Sequence, residues 1–284
     1  MQPTWLARSP QGLKIVRMSR ELALCHFSMI EVEPPELVTI AAESGFSHVS
    51  LMLQFPASAG SNFPMHGDTP MRRETHARLQ DSGVRVIDAS TCRLEPDTDV
   101  ENFRPMIESG AVLGARQFNV NGADPDEGRL ADRFAALAEL GAEYGLVPSI
   151  EFMMISAVRT LAAALALIAR SGASAAKITL DALHLQRSGG APSDLAALPA
   201  GRISYAQLCD GPAEMPAERY GWEAGTQRLL PGEGVFPLQA LVRALSPDMV
   251  IGVEAPSAAR RAAGEPALAY ARRMKASLDL LLAD

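Results

Sequence analysis

The chain has 284 residues, of which 48% are hydrophobic, enough for one large core of the size of an α/β barrel. Its 26 Lys and Arg residues against 33 Asp and Glu residues give a formal net charge of -7, which argues against a nucleic acid or an anionic membrane as a partner. No stretch reaches the roughly 20 apolar residues of a membrane span, and the N-terminus has no apolar signal-peptide core. We therefore expect a cytoplasmic protein that acts on a small molecule.

Eight short apolar segments alternate with helical segments along the chain. These strand-like segments cover residues 22–28, 48–53, 84–89, 115–120, 147–151, 177–181, 203–207 and 249–254. Such alternation is typical of parallel strands joined by crossover helices, and no Gly-rich phosphate loop follows the first strand. We predict a single α/β domain, a closed (β/α)8 TIM barrel over residues 21–284, preceded by an N-terminal extension over residues 1–20.

Proline and glycine mark the ends of the predicted helices. One helix should begin at Pro34-Pro35 and end at Gly45, and the next should begin at Thr69-Pro70 and end at Gly83. Pro148 fits poorly inside the fifth strand, because proline cannot donate to the strand ladder, so we expect it at the strand's entry. Alanine-rich segments with the composition of outer helices cover residues 129–144, 157–170 and 266–282.

Four polar residues close the last four predicted strands: Glu151, Asp181, Gln207 and Glu254. A carboxylate at the buried end of a strand costs several kcal/mol unless it is paired or bound to a metal. Any one of them could be a helix cap, but the ends of consecutive barrel strands converge, and four together indicate a shared site. An all-oxygen ligand set predicts one divalent cation, Mn or Mg, with Co as an alternative, rather than Zn.

These residues resemble the metal site of the xylose isomerase-like TIM barrels, a superfamily of sugar isomerases and epimerases, keto-inositol and dehydroshikimate dehydratases and endonuclease IV-like proteins. The resemblance extends from the first strand to Glu254. It includes His184, three residues after Asp181, and the segment from Arg228 to Gly234, which is similar to the Pro-Gly-x-Gly segment of many sugar epimerases.

The resemblance implies an isomerase or epimerase that acts on a small polyhydroxylated carbonyl compound by proton transfer through an enediolate. Glu151 and Glu254 would then be the catalytic acid and base as well as metal ligands. His184 would bind and polarise a substrate oxygen, and Arg228 would contact the substrate.

Two residues depart from the sugar-epimerase pattern. Gln207 stands where many epimerases have histidine and resembles the dehydroshikimate-dehydratase branch, and Ala157 stands where keto-sugar epimerases carry a further glutamate. A metal-dependent dehydratase of a cyclic keto acid or keto-polyol therefore stays open, as does a non-catalytic barrel that binds a partner. An endonuclease fits least, because the chain is acidic and has only five histidines.

Several other residues lead to weaker expectations. Arg93, after the third strand, could bind an anionic group, and His66 lies in a long loop, residues 55–68, where a lid would be placed. We expect His26 to be a hydrogen-bonded core histidine. The three cysteines lie far apart in the sequence and are expected to be reduced and buried. A homodimer is the commonest symmetric assembly and a possible one for this chain.

Overall fold

The protein is described by a computed structural model that covers residues 20–55 and 62–283. Within these residues, eight parallel strands form a closed barrel in which each strand pairs with the next and β8 pairs with β1. The strands are β1 Leu22–Cys25, β2 His48–Met52, β3 Arg85–Leu94, β4 Gln117–Gly122, β5 Val147–Glu151, β6 Lys177–Asp181, β7 Ile203–Leu208 and β8 Ile251–Val253. The closed order confirms the predicted single (β/α)8 barrel.

Helices connect the strands and surround the barrel. In the described part of the chain they are α1 Pro34–Ser44, α2 Pro70–Ser82, α3 Arg104–Val112, α4 Glu127–Glu143, α5 Leu161–Ser171, α6 Ala182–Arg187, α7 Tyr220–Thr226, α8 Leu238–Ala244, α9 Ala258–Ala262 and α10 Ala267–Ala283. None of these helices has the length and apolar composition needed to cross a bilayer. The predicted N-terminal extension lies outside the described residues, except for Arg20.

Local capping signals set the ends of α1 and α2 as the sequence predicts. α1 begins at a proline and ends at Gly45, whose φ of 81° is in the left-handed region. α2 also begins at a proline, and the Thr69 hydroxyl accepts a hydrogen bond from the backbone N–H of Arg72 at 3.2 Å. Pro148 is the second residue of β5, where it is tolerated near the strand's entry.

β1 and β3 show the largest differences from the predicted strand ends; the other strands differ by at most two residues at either end. β1 stops at Cys25, because the chain turns at His26, whose ring nitrogens bind the backbone O of Val32 at 2.8 Å and the backbone N of Met52 at 3.2 Å. This geometry confirms His26 as a hydrogen-bonded core histidine. β3 runs five residues further than predicted, to Leu94, after a register shift against β4. The longer β3 carries polar side chains to the carboxyl end of the barrel.

The barrel interior contains a polar layer beneath its carboxyl end. The hydroxyl of Ser149 bonds to Thr179 Oγ1 at 2.8 Å and to Ser204 Oγ at 2.9 Å. The Ser90 hydroxyl donates to Asp88, a fully buried carboxylate, at 3.0 Å. The large apolar core lies between the strands and the helices, and all three cysteines are buried free thiols, as predicted.

Candidate metal and active site

A cavity of about 740 Å³ opens at the carboxyl ends of the strands, within the size range of small-molecule sites. Glu151, Gln207 and Glu254 all line it, together with His184 and Arg228. Asp181 is fully buried directly behind this surface and contacts Arg228. The structure therefore brings the four predicted strand-end residues to one place.

The carboxylate of Glu151 is fixed by two asparagines at the end of β4. Its Oε2 accepts hydrogen bonds from Asn119 Nδ2 at 3.0 Å and Asn121 Nδ2 at 3.3 Å. Burial, reinforced by the negative charge of Asp181, raises the pKa of Glu151 to about 7. Neither asparagine was predicted as a site residue, although their alternation at the end of an apolar strand places them on the same face.

Asp181 has two functions in the structure. Its Oδ1 caps α6 by accepting a hydrogen bond from the backbone N–H of His184 at 3.0 Å, so the helix-cap interpretation of this residue is also correct. Its Oδ2 accepts from Arg228 Nη1 at 2.6 Å. Burial alone would raise the pKa of Asp181, but Arg228, His184 and these hydrogen bonds hold the pKa below its usual value.

The imidazole of His184 faces Glu151, with 3.8 Å between His184 Nε2 and Glu151 Oε1. Burial lowers the pKa of His184 to about 4, although the charge of Asp181 opposes this shift. The ring is therefore neutral near pH 7, which is the form that can act as a metal ligand.

Arg228 and Gln207 hold the carboxylate of Glu254. Arg228 Nη2 lies 3.2 Å from Glu254 Oε2, and Gln207 Nε2 donates to Glu254 Oε1 at 2.8 Å. Arg228 is only 4% exposed, and its Nε donates to the backbone O of Ala224 at 2.8 Å. Burial raises the pKa of Glu254 well above its usual value, against the opposing effect of Arg228.

The donor atoms at this site fit a divalent cation. Glu151, Asp181 and His184 each offer one ligand atom, and these atoms lie within 4.8 Å of one another. Gln207 Oε1 is buried and has no hydrogen-bond partner in the described part of the chain, as expected of an atom that binds a ligand. The carboxylates of Glu151, Asp181 and Glu254 and the guanidinium of Arg228 carry two net negative charges when ionised, and a divalent ion would balance these charges.

This donor group shares Glu151 and Asp181 with the predicted all-oxygen set and adds the imidazole of His184. The Glu254 carboxylate is tied to Arg228 and Gln207. A mixed set of carboxylates and imidazole admits zinc as well as manganese, cobalt or magnesium. The predicted ligand roles of Gln207 and Glu254 and the predicted catalytic roles stay predictions.

The two weaker substrate-binding candidates lie at different places. Arg93 is at the exposed edge of the cavity, where its Nε donates to Glu95 Oε1 at 3.0 Å. His66 is exposed, its Nε2 lies 2.9 Å from the backbone O of Leu53, and it is not among the described residues that line the cavity. Substrate binding by His66 stays a prediction. Residues 56–61 of the predicted lid lie outside the described residues.

The Pro-Gly-Glu-Gly segment supports the loop that carries Arg228. Asp210, which no sequence pattern indicated, binds this segment: its Oδ2 accepts from the N–H of Gly232 at 3.0 Å and its Oδ1 from that of Phe236 at 2.9 Å. Asp210 also forms an antiparallel bridge with Leu229, next to Arg228. A Cβ on Gly234 would lie 2.4 Å from Asp210 Oδ1, so the close approach requires glycine.

Residues 38–278 match the model of the xylose isomerase-like TIM barrel family, and the chain belongs to that family. Among curated proteins, no sequence matches the chain. Its TM-score is 0.74 against the probable 3-DHS dehydratase AsbF of Bacillus anthracis, which is 17% identical, over 91% of this chain and 98% of that one. Against the 3-keto-D-glucoside 4-epimerase YcjR of E. coli the TM-score is 0.69, at 16% identity, over 94% and 100% of the two chains.

A third similar structure, the IolI protein with a bound zinc atom, has a TM-score of 0.71 and 15% identity over 93% of this chain and 97% of that one. The chain spans only 42% of a further similar protein, a fusion of a xylose isomerase-like barrel with a 4-hydroxyphenylpyruvate dioxygenase. At these identities the likeness shows the fold alone. The similar structures nevertheless include both an epimerase and a probable dehydratase.

Proposed function

We propose that the protein is a divalent-metal-dependent isomerase or epimerase that acts on a small polyhydroxylated carbonyl compound. The observation that carries the proposal is the position of two carboxylates on different sides of one cavity. Glu151 ends β5 and Glu254 follows β8, with β6 and β7 between them. A compound bound between them has a carboxylate on each side, so one can remove a proton and the other can return it to the opposite face.

Separate hydrogen bonds orient the two carboxylates for proton transfer. Asn119 and Asn121 orient Glu151 through hydrogen bonds to its Oε2. Arg228 and Gln207 orient Glu254. A divalent ion held by Glu151, Asp181 and His184, with Gln207 Oε1 in reach as a further ligand, would supply Lewis-acid polarisation of the carbonyl.

Hydrogen exchange at carbon tests the proposal. A panel of ketopentoses and ketohexoses is incubated in D₂O with Mg²⁺ or Mn²⁺, and NMR follows the loss of the C–H signal next to the carbonyl. We expect exchange with the wild type and a loss of about 100-fold or more in Glu151→Gln and in Glu254→Gln. The control Glu108→Gln changes an exposed carboxylate on α3. Unchanged exchange in both cavity variants would refute the assigned acid/base pair.

A metal-dependent dehydratase of a cyclic keto acid or keto-polyol is the second candidate. Gln207 favours it, because an amide at this strand end resembles the dehydroshikimate-dehydratase branch. Loss of a β-hydroxyl would produce an ultraviolet-absorbing enone, whereas isomerisation or epimerisation would not. Absorbance recorded with the same panel, extended to cyclic keto acids, therefore separates the two reactions.

A further inference from the structure

The buried floor of the cavity becomes electrically neutral when a divalent ion is bound. Its carboxylates belong to Glu151, Asp181 and Glu254, and the guanidinium of Arg228 lies against the last two. Three carboxylates, one guanidinium and one divalent ion carry no net charge when all are ionised. The floor then carries no net positive charge that would attract an anionic compound, and negative charge at the cavity's opening shifts the balance against one.

That opening is negatively charged. Glu95, Asp97 and Asp99, which we call the acidic rim, are exposed and line the cavity after β3. Arg93 is the cation of this part of the described lining, and its Nε is bound to Glu95 Oε1 at 3.0 Å. The acidic rim and Arg93 together therefore carry two net negative charges, and the Asp124 carboxylate behind them is paired with both Arg129, at 2.6 Å, and Arg133, at 2.9 Å. The carboxylate of Asp97 forms no hydrogen bond or ion pair within the described ranges 20–55 and 62–283, so it is available to a ligand.

A partly exposed arginine, paired with a buried carboxylate, anchors the backbone of the acidic rim. Arg133 donates to the backbone O of Glu95 at 2.8 Å and to that of Pro96 at 2.6 Å. The same guanidinium binds the buried carboxylate of Asp124 at 2.9 Å. Thr98 Oγ1 accepts a hydrogen bond from the backbone N–H of Glu95 at 2.7 Å. The backbone of the rim is therefore anchored, which keeps its carboxylates near the opening of the cavity.

Uncharged polar groups line the cavity between the rim and the floor. They include the side chains of Ser50, Gln54, Ser90, Thr91, Asn102 and Asn121. Gln207, only 3% exposed, adds the unpartnered Oε1 to the same lining, and Phe27 and Phe55 add apolar surface. Hydroxyl groups of a ligand can bind the amides and hydroxyls, while its C–H faces can pack on the rings.

We propose that the site selects uncharged polyhydroxylated carbonyl compounds and that the acidic rim rejects their carboxylated and phosphorylated counterparts. This inference rests on the proposed function, since it names the substrate class of the same site. It also favours the isomerase or epimerase over a dehydratase of a keto acid. The rim lies at the opening through which a ligand enters. Charges separated by less than the Debye length of about 8 Å are only partly screened at physiological salt, so the rim repels an entering anion.

Ligand binding measured without turnover tests the inference. Saturation-transfer-difference NMR on the full chain in excess Mg²⁺ gives dissociation constants for neutral ketopentoses and ketohexoses, fructose 6-phosphate and 5-keto-gluconate. We expect the wild type to bind its best neutral ligand about tenfold more tightly than either anion at low salt. In Glu95→Gln/Asp97→Asn/Asp99→Asn this ratio should fall to about twofold, through tighter binding of the anions.

A matched control removes three negative charges from exposed helix positions that do not line the cavity, Glu108, Asp132 and Glu139, by the same type of substitution. This control variant should prefer neutral ligands over anionic ones by the same factor as the wild type. Anions that bind the wild type as tightly as neutral ligands, or equal ratios in the rim and control variants, would overturn the inference.

The inference and the proposed function can fail separately. Rim-dependent discrimination without any C–H exchange supports the inference and contradicts the proposed function. If the protein catalyses C–H exchange in a neutral ketose but binds anionic ligands as tightly as neutral ones, only the inference is contradicted. If no compound of the panel binds, both are overturned.

Discussion

Replacing Arg228 by methionine should make the stability of the protein depend strongly on a divalent ion. In the wild type this guanidinium compensates two buried carboxylates, at 2.6 Å from Asp181 Oδ2 and 3.2 Å from Glu254 Oε2. Removing one partner of a buried ion pair typically costs about 3–5 kcal/mol, because the other charge stays buried without compensation. We expect a loss of this size in chelator.

A divalent ion should recover much of that loss. Ligand binding at 100 times the dissociation constant stabilises a folded protein by about 2.7 kcal/mol. In Arg228→Met the ion no longer shares the oxygens of Asp181 and Glu254 with a guanidinium, so we expect at least tenfold tighter binding. The ion-dependent gain in the free energy of unfolding should then exceed that of the wild type by about 1.4 kcal/mol or more.

The assay is urea unfolding with EDTA and with saturating Mn²⁺, supported by calorimetric titration of the ion. Arg187→Met is the matched control, since Arg187 also forms a buried ion pair, at 2.6 Å from Glu223, but does not line the cavity. It should lose similar stability in EDTA without an additional gain from Mn²⁺. Equal gains from Mn²⁺ in the two arginine variants would refute the reasoning.

Two further predictions concern stability elsewhere in the barrel. Gly234→Ala should lower the free energy of unfolding by about 1–3 kcal/mol, because its Cβ would lie 2.4 Å from Asp210 Oδ1. The control Gly221→Ala, which has free space around the added Cβ, should leave the free energy of unfolding unchanged. Calorimetry measures the stability of both variants. Burial raises the pKa of Asp88 from 3.8 to about 6, so the folded state binds its proton more tightly than the unfolded state. The stability from this group should therefore be present below pH 4 and fall by up to about 3 kcal/mol as the pH rises through 6. Asp88→Asn should lack this component, and parallel pH–stability profiles of the two proteins would contradict the assignment.

The features predicted correctly from the sequence depend on local chemistry. The ends of α1 and α2 follow from Pro34, Pro70 and the glycines after each helix, because capping involves neighbouring residues only. β3 was predicted too short, since its extension to Leu94 depends on pairing with β4 after a register shift. No periodicity within the strand itself reveals such a shift.

The site was predictable in its composition but not in its bonds. Convergence of barrel strands was sufficient to bring the four strand-end residues together. The insertion of Arg228 against Asp181 depends on a loop 47 residues further along the chain. The distance between His184 and Glu151 likewise depends on tertiary packing, so the nitrogen in the donor group could not be inferred from spacing.

The metal content of the purified protein tests the central claim most directly. Plasma mass spectrometry is applied to wild type, Glu151→Gln and Glu108→Gln after loading with excess Mn²⁺ and removal of unbound ion. We predict close to one manganese per chain in the wild type and in Glu108→Gln, and a clear loss in Glu151→Gln. A wild type without bound metal, or equal occupancy in Glu151→Gln, would contradict a divalent ion at this site.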